Sequence, residues 1–313
     1  MTRFESRILF CVRKIVFIFI LFIFPLSHAN LAVAQGPVVA TAVATSAIGE
    51  NCEKAMSVFP GKQGNSFIKQ ACQKVVVKEG CKSVKGADIF HYDKSAAEGT
   101  KQKHSSRILV ISMIHGDEYP AGTVTRAWMS RLETIDSRND WRIIPVANPD
   151  GVVAKTRFNA NKIDLNRNFP SKDWTVNALK YWESKTKKDP RRFPGAEAAS
   201  EPETKCLIAH IDEYKPHLII SVHTPLGVLD LDGPPVPNPG FKPLPWVNLR
   251  DFPGSLGRYM WADKKTPVLT IELKGLTGLS KLEEFDRLQD ATGTVAMQAQ
   301  KLLTDADKGT KNQ

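Results

Sequence analysis

From Ile108 to Glu118 the chain reads I-L-V-I-S-M-I-H-G-D-E, an apolar run that stops abruptly at two metal-binding residue types. The run is bounded by Ser106 and Gly116, and this predicts a strand covered on both faces of a parallel sheet. The turn after such a strand is where α/β proteins place their chemistry. His115 and Glu118 can aim an imidazole and a carboxylate at one ion from that turn, and a His/Glu/His set with an open fourth position is a catalytic zinc shell. An isolated H-x-x-E also fits a solvated turn. The remaining chain must therefore supply a third ligand, a base and a charge stabiliser.

The N-terminus reads as an export signal. Arg3, Arg7, Arg13 and Lys14 make a basic start, Ile15 to Ser27 an apolar stretch, and small residues follow at Ala29 and Ala34. The stretch is short for a bilayer span and holds Pro25, so the expectation is cleavage after Ala29 or Ala34 with no stable membrane insertion afterwards. The formal net charge of the whole chain is +10, and it falls to +7 when four basic residues and one acidic residue leave with the signal. The basic residues are scattered and no aromatic-interleaved basic stripe appears, which argues against a nucleic-acid partner. An anionic substrate or wall surface suits this charge better.

Of five cysteines, Cys11 leaves with the signal, and Cys52, Cys72, Cys81 and Cys206 remain. An even count in an oxidising compartment favours disulfides, with three connectivities open. Pairing Cys52 with Cys72 would pin a helical hairpin too small to hold itself together, leaving Cys81 for Cys206. The expected organisation is a signal at 1–34, a linker and small Cys-containing segment at 35–82, a catalytic domain at 83–305 and a polar tail at 306–313. Gln35 to Gly49 reads as linker and Glu50 to Cys81 as largely helical. Ala87 to Tyr92 reads as an edge strand, Ala121 to Glu133 as a helix and Trp141 to Ala147 as a strand. Asn148 to Gly151 reads as a turn, and Ser200 to Glu203 has capping-box spacing. His217 to His223 and Pro267 to Leu273 are further strands, and Ser280 with Glu283 opens a last helix to about Leu303. Alternating strands and helices predict an α/β fold with a mixed, mostly parallel central sheet and helices on both faces.

Three of these strands end in a functional residue type: His115, His223 and Glu272. At the carboxyl ends of neighbouring strands they would converge on one crevice. His217 lies at the far end of its strand, about 20 Å away at the usual rise per residue, and cannot serve the same ion. His91, His104 and His210 read as packing or surface histidines. Glu272, a carboxylate inside V-L-T-I-E-L, must pair or act as an acid/base, because burial of a lone charge is costly. Lys155 to Pro170 carries Arg157, Arg167 and four asparagines at 159, 161, 166 and 168. Arginine forks with amide donors suit a site that holds an anion.

The set H-G-D-E, T-R-F-N-A-N-K-I-D-L-N-R-N-F-P, S-V-H and T-I-E-L resembles the zinc metallocarboxypeptidases, in particular their murein peptide amidase-like branch. The resemblance implies one zinc ion held by His115, Glu118 and His223, with Glu272 as general base and acid. It further implies Arg157 at the scissile carbonyl, and Asn166 with Arg167 on the carboxylate of the leaving residue. The activity it implies is a zinc-activated water hydrolysing the γ-D-glutamyl-diaminopimelate bond of wall peptides in the periplasm. Asp230 and Asp232, two places apart on one strand face, would meet the distal ammonium; a turn-capping role beside Gly233-Pro234 is the alternative. A general periplasmic carboxypeptidase and a non-catalytic wall-peptide binder are the other readings, although a degenerate binder should have lost a ligand or the base. Two departures stand out. Lys162 occupies a place usually held by Gly, so the turn before Asp164 is expected to differ, and Tyr259 is too badly spaced to serve as the mobile tyrosine of digestive carboxypeptidases.

Overall fold

Arg107–Ser112 forms a strand at the middle of an eight-stranded sheet, and its side chains divide cleanly between the two faces. Ile108 and Val110 pack in one apolar cluster with Trp128 and Phe285, while Leu109 and Ile111 pack in another with Leu207 and Ile211. This two-residue alternation, apolar on both sides, is what a strand sandwiched between helices requires.

The computed structural model describes residues 38–101, 105–275 and 278–311. The proposed signal segment and His104 lie outside the described residues. In chain order the strands are β1 (Val76–Lys82), β2 (Asp88–Lys94), β3 (Arg107–Ser112), β4 (Asp140–Ile144), β5 (Leu218–His223), β6 (Leu226–Asp232), β7 (Trp246–Val247) and β8 (Val268–Lys274). The helices are α1 (Val38–Ser57), α2 (Ile68–Cys72), α3 (Glu98–Lys101), α4 (Tyr119–Leu132), α5 (Pro149–Ala154), α6 (Trp174–Ser184), α7 (Pro202–Tyr214) and α8 (Leu282–Lys311). No described helix is long and apolar enough to cross a membrane.

The sheet order is β1-β2-β4-β3-β5-β8-β6-β7. The central β4, β3, β5 and β8 run parallel, and antiparallel pairs join β2 to β4 and β6 to β8 on either flank. The chain leaves β3 for β4 on one side and later leaves β5 for β8 on the other. That reversal makes β3 and β5 the switch point where open α/β sheets form their crevice.

Several local expectations are corrected. The segment expected as a linker is helical from Val38, consistent with alanines at 40, 42, 44 and 47 and their high helix propensity. The stretch read as helical before Cys81 turns into β1, because Val75-Val76-Val77 is a β-branched run. β1 then covers β2, so the strand expected at the edge lies inside the sheet. Asn148 to Gly151 is the start of α5, where the Asn148 side chain accepts a bond from the Gly151 N–H at 2.9 Å. Neither expected capping box forms: Glu203 instead accepts from the Val84 N–H and Asn159, and Glu284, one residue later than expected, caps the start of α8 through the Ser280 and Lys281 N–H groups. α8 itself runs through most of the expected tail, to Lys311.

The cysteine-bearing segment is tied down in two ways. Cys52 bridges Cys72 and Cys81 bridges Cys206, the pairing expected from the sequence. Arg126 of α4, almost fully buried, also donates to the carbonyls of Met56, Phe59, Pro60, Gly61 and Gln63. Five carbonyls on one guanidinium satisfy a desolvated cation and fix the turn after α1. Mass mapping without reductant should find both bridges, and replacing Cys52 and Cys72 by Ser should lower stability by about 3 kcal/mol for a loop of roughly 20 residues. Four alkylatable thiols in the native chain would contradict this.

Candidate metal and catalytic centre

The His-x-x-Glu turn leads directly from β3 into α4. Gly116 is required there, since a Cβ at that position would stand 2.0 Å from the Gly151 carbonyl carbon where the turn crosses α5. Glu118 occupies the N-cap position of α4 and makes no cap bond with its side chain. Its carboxylate faces the histidines instead: Oε1 lies 2.9 Å from His115 Nδ1 and Oε2 lies 2.9 Å from His223 Nδ1. The two Nδ1 atoms are 3.1 Å apart. Two ring nitrogens and the two oxygens of one buried carboxylate thus gather closely enough to share one ion, and imidazole nitrogen and carboxylate oxygen are ligand types that zinc takes.

The outer ring nitrogens settle which atoms face inward. His115 Nε2 is 3.1 Å from Asp164 Oδ1, and His223 Nε2 is 2.8 Å from Ser221 Oγ. A carboxylate on the far nitrogen holds the proton there and leaves the Nδ1 lone pair for a metal. Burial pushes Glu118 up, but the two imidazoles beside it outweigh that and hold its carboxyl below the usual range. A nitrogen, nitrogen, oxygen set with a buried anion suits zinc. Among the described residues one other close group, Cys81, Cys206 and His210, has metal-binding residue types, but both cysteines are committed to their disulfide.

Glu272 is the register partner of His223 on the adjacent strand and faces the same cavity. Burial raises its pKa, with the negative Glu118 adding to the shift and His223 opposing it. The Leu226 N–H donates to Oε2 at 3.3 Å. A carboxyl titrating above its normal range is a better proton acceptor.

Arg157 is clamped by Asp164, Nε to Oδ2 at 3.0 Å, and its Nη1 lies 3.4 Å from Glu118 Oε1. Arg167 lies beneath Phe252, with the guanidinium carbon 4.6 Å from the ring centroid. Burial lowers its pKa, and its buried Nε has no partner among the described residues. Such a cation calls for an anion. Asn166 Oδ1 accepts from the Leu256 N–H at 2.9 Å, which leaves its amide as a donor. Asn159 and Asn161 bond to Glu201, and Asn168 to the carbonyls of Pro194 and Glu197. Three of the four asparagines thus shape the loop, and Asn166 alone of them lines the cavity. Lys162 takes φ +62°, so the turn before Asp164 keeps a left-handed residue despite the missing glycine.

The cavity holds about 310 Å³ and reaches from His115, Glu118 and His223 to Asp230, Asp232, Arg250 and Asp251. Asp230 and Asp232 lie in β6 and line it, and the Leu249 N–H meets the Asp230 carboxylate. Burial first, then Asp230 and Asp251, push Asp232 up to about 7. His217 is at the far end of β5, where its Nδ1 accepts from the Arg107 N–H. His91 and His210 pack against each other with ring centroids 4.6 Å apart. Tyr259 stacks on Phe169 and does not line the cavity. Asp164 is the residue that pattern reading missed: one polar letter in D-L-N-R-N, with nothing local to show that it is buried against His115.

Comparison with known proteins agrees with this geometry. The zinc carboxypeptidase family signature matches residues 66–229, a span that includes His115, Glu118, Arg157, Asn166, Arg167 and His223. Murein peptide amidase A of Vibrio campbellii is 30% identical over 248 residues, covering 75% of this chain and 91% of the relative. The protein of that name from Escherichia coli K12 is 35% identical over 124 residues, half of its length. The crystal structure of murein-tripeptide amidase MpaA from Escherichia coli O157 superposes with a TM-score of 0.50 at 28% identity, covering 70% of this chain and 91% of that one. Carboxypeptidase A from Helicoverpa armigera shares the fold, with a TM-score of 0.55 at 18% identity and 82% and 81% of the two chains covered. With the signature spanning just over half of the chain and a relative at 30% identity matched over most of its length, the chain belongs to the zinc carboxypeptidase family and is a zinc-dependent hydrolase.

Proposed function

We propose that the chain hydrolyses a peptide bond in murein-derived peptides, releasing a residue with a free carboxylate and a cationic side chain. The observation that carries this reading is the layout of one cavity. His115, Glu118, His223 and Glu272 lie on one side, Arg167 is a buried cation whose Nε has no partner among the described residues, and Asp230 and Asp232 lie on the wall beyond. Two relatives named for murein peptides supply the substrate class, and diaminopimelate fits the distal acids, because its side chain carries an ammonium. The scissile bond is then the γ-D-glutamyl-diaminopimelate bond, and the N-terminal pattern with two disulfides fits a periplasmic location.

In this reading His115 Nδ1, the Glu118 carboxylate and His223 Nδ1 hold the ion. Zinc, when bound, supplies a Lewis acid that acidifies water and polarises a carbonyl. Glu272 accepts the proton of the attacking water at a carboxylate oxygen and returns it to the leaving nitrogen, so one water is consumed across one amide bond. Arg157 donates to the carbonyl oxygen as negative charge grows there, and Asp164 keeps its fork aimed. Asn166 and Arg167 bind the carboxylate of the leaving residue.

Two measurements test this reading. The specificity constant for the tripeptide L-Ala-γ-D-Glu-meso-diaminopimelate should exceed that for a blocked dipeptide ending in Phe, since a missing cation leaves the acidic wall desolvated and unpaired. Equal or faster cleavage of the Phe substrate would make the protein a general carboxypeptidase. Glu272→Gln should lower kcat by about 10²–10⁴-fold with zinc retained, and His223→Ala should lose the metal. Because Glu272 must be ionised to accept a proton and its pKa is raised, wild-type kcat/KM should fall with decreasing pH at a value above the ordinary carboxylate range. Loss of zinc from the Gln variant would show that the roles are misassigned.

A further inference from the structure

Four arginines line the catalytic cavity: Arg157, Arg167, Arg192 and Arg250. Arg157 is held by Asp164 and Glu118, Arg167 is assigned above, and Arg192 has a carboxylate of its own, Asp189, at 3.4 Å. Arg250 is different. Its backbone N–H donates to Asn248 Oδ1 at 3.0 Å, but among the described residues its guanidinium has no ion pair or hydrogen bond.

The acids on this wall also lack a cation. The Asp232 side chain has no hydrogen-bond partner among the described residues, and burial, then Asp230 and Asp251, raise its proton affinity, while the Asp230 carboxylate is met by the Leu249 N–H. Asp251 has Arg258 at 3.3 Å, so the carboxylates of this wall without a cation among the described residues are Asp230 and Asp232. Gly257 lets Asp232 sit where it does: a Cβ there would come within 1.9 Å of Asp232 Oδ2. A second sign of a ligand is Arg167, nine-tenths buried, whose Nε has no partner and whose side chain opens on the same cavity. Unpaired charges of both signs in one pocket match a guest that carries both.

We infer that Arg250 binds a carboxylate at the far end of the leaving residue's side chain while Asp230 and Asp232 bind the ammonium beside it, forming a subsite for a second α-amino acid head group. The inference rests on the proposed murein reading and adds a determinant to it. A lysine side chain ends in an ammonium alone and would satisfy only the acids. Diaminopimelate ends in an ammonium and a carboxylate on one carbon and satisfies both. Arginine suits the second charge because its planar fork meets both carboxylate oxygens.

Steady-state kinetics on the zinc-loaded protein with L-Ala-γ-D-Glu-meso-diaminopimelate and L-Ala-γ-D-Glu-L-lysine test the assignment. The wild type should favour the diaminopimelate peptide by about tenfold or more in kcat/KM, the scale of one charge-assisted contact. Arg250→Ala should bring the ratio close to one, chiefly through a higher KM for the diaminopimelate peptide, and Arg250→Lys should restore part of it. A wild-type ratio near one, or an equal fall for both peptides in Arg250→Ala, overturns the subsite and leaves the murein reading standing. Failure of the wild type to cleave either peptide overturns both.

Discussion

The site depends on one buried carboxylate, that of Asp164. Its Oδ1 faces His115 Nε2 at 3.1 Å and accepts the Asn166 N–H at 3.0 Å, while Oδ2 accepts Arg157 Nε at 3.0 Å. Burial alone would keep this acid protonated, but the neighbouring guanidinium of Arg157 and the imidazole of His115 hold it well below the usual carboxylate range. A charge buried this fully persists only when its lone pairs are met, and here each of the three partners has a different task. The imidazole turns Nδ1 toward Glu118 and His223, the guanidinium lines the cavity, and the backbone turn delivers Asn166 and Arg167. Pairing, tautomer and loop shape are therefore set together.

Topology explains why these partners meet. Parallel strands β3, β5 and β8 carry His115, His223 and Glu272 to one end of the sheet, and adjacent-strand register places His223 directly beside Glu272. The antiparallel return from β5 into β6 then turns Asp230 and Asp232 toward the same cavity. The Phe169 N–H donates to the Gly254 carbonyl and the Leu256 N–H to Asn166 Oδ1, and these bonds close the far wall. The His115, Glu118 and His223 group and the two aspartates are thus built on one sheet, so the distance between them is set by a rigid scaffold.

The central strands and their terminal residues were legible because a buried parallel strand needs an unbroken apolar run, and a polar residue ending such a run stands out. The disulfide pairing was legible from the small hairpin between Cys52 and Cys72. Other features were hidden for physical reasons. The β-branched triplet at Val75 to Val77 competes with a helical spacing on either side of it, and only pairing with β2 decides the matter. Asn159, Asn161 and Asn168 look like Asn166 in sequence, yet their partners are contributed by residues 194–203, which local pattern cannot place. Arg126 and Asp164 escaped for the same reason: each is a charge buried by segments distant in the chain.

If Asp164 orients the metal-binding imidazole, its charge must matter beyond its shape. The most direct measurement is the zinc dissociation constant of Asp164→Asn against wild type, by competition with a chromophoric chelator at neutral pH, on samples whose Tm shows them folded. The account predicts affinity weakened by about 10–100-fold, the usual effect of losing a carboxylate behind a metal-bound histidine. Unchanged affinity in a folded Asn variant would contradict it.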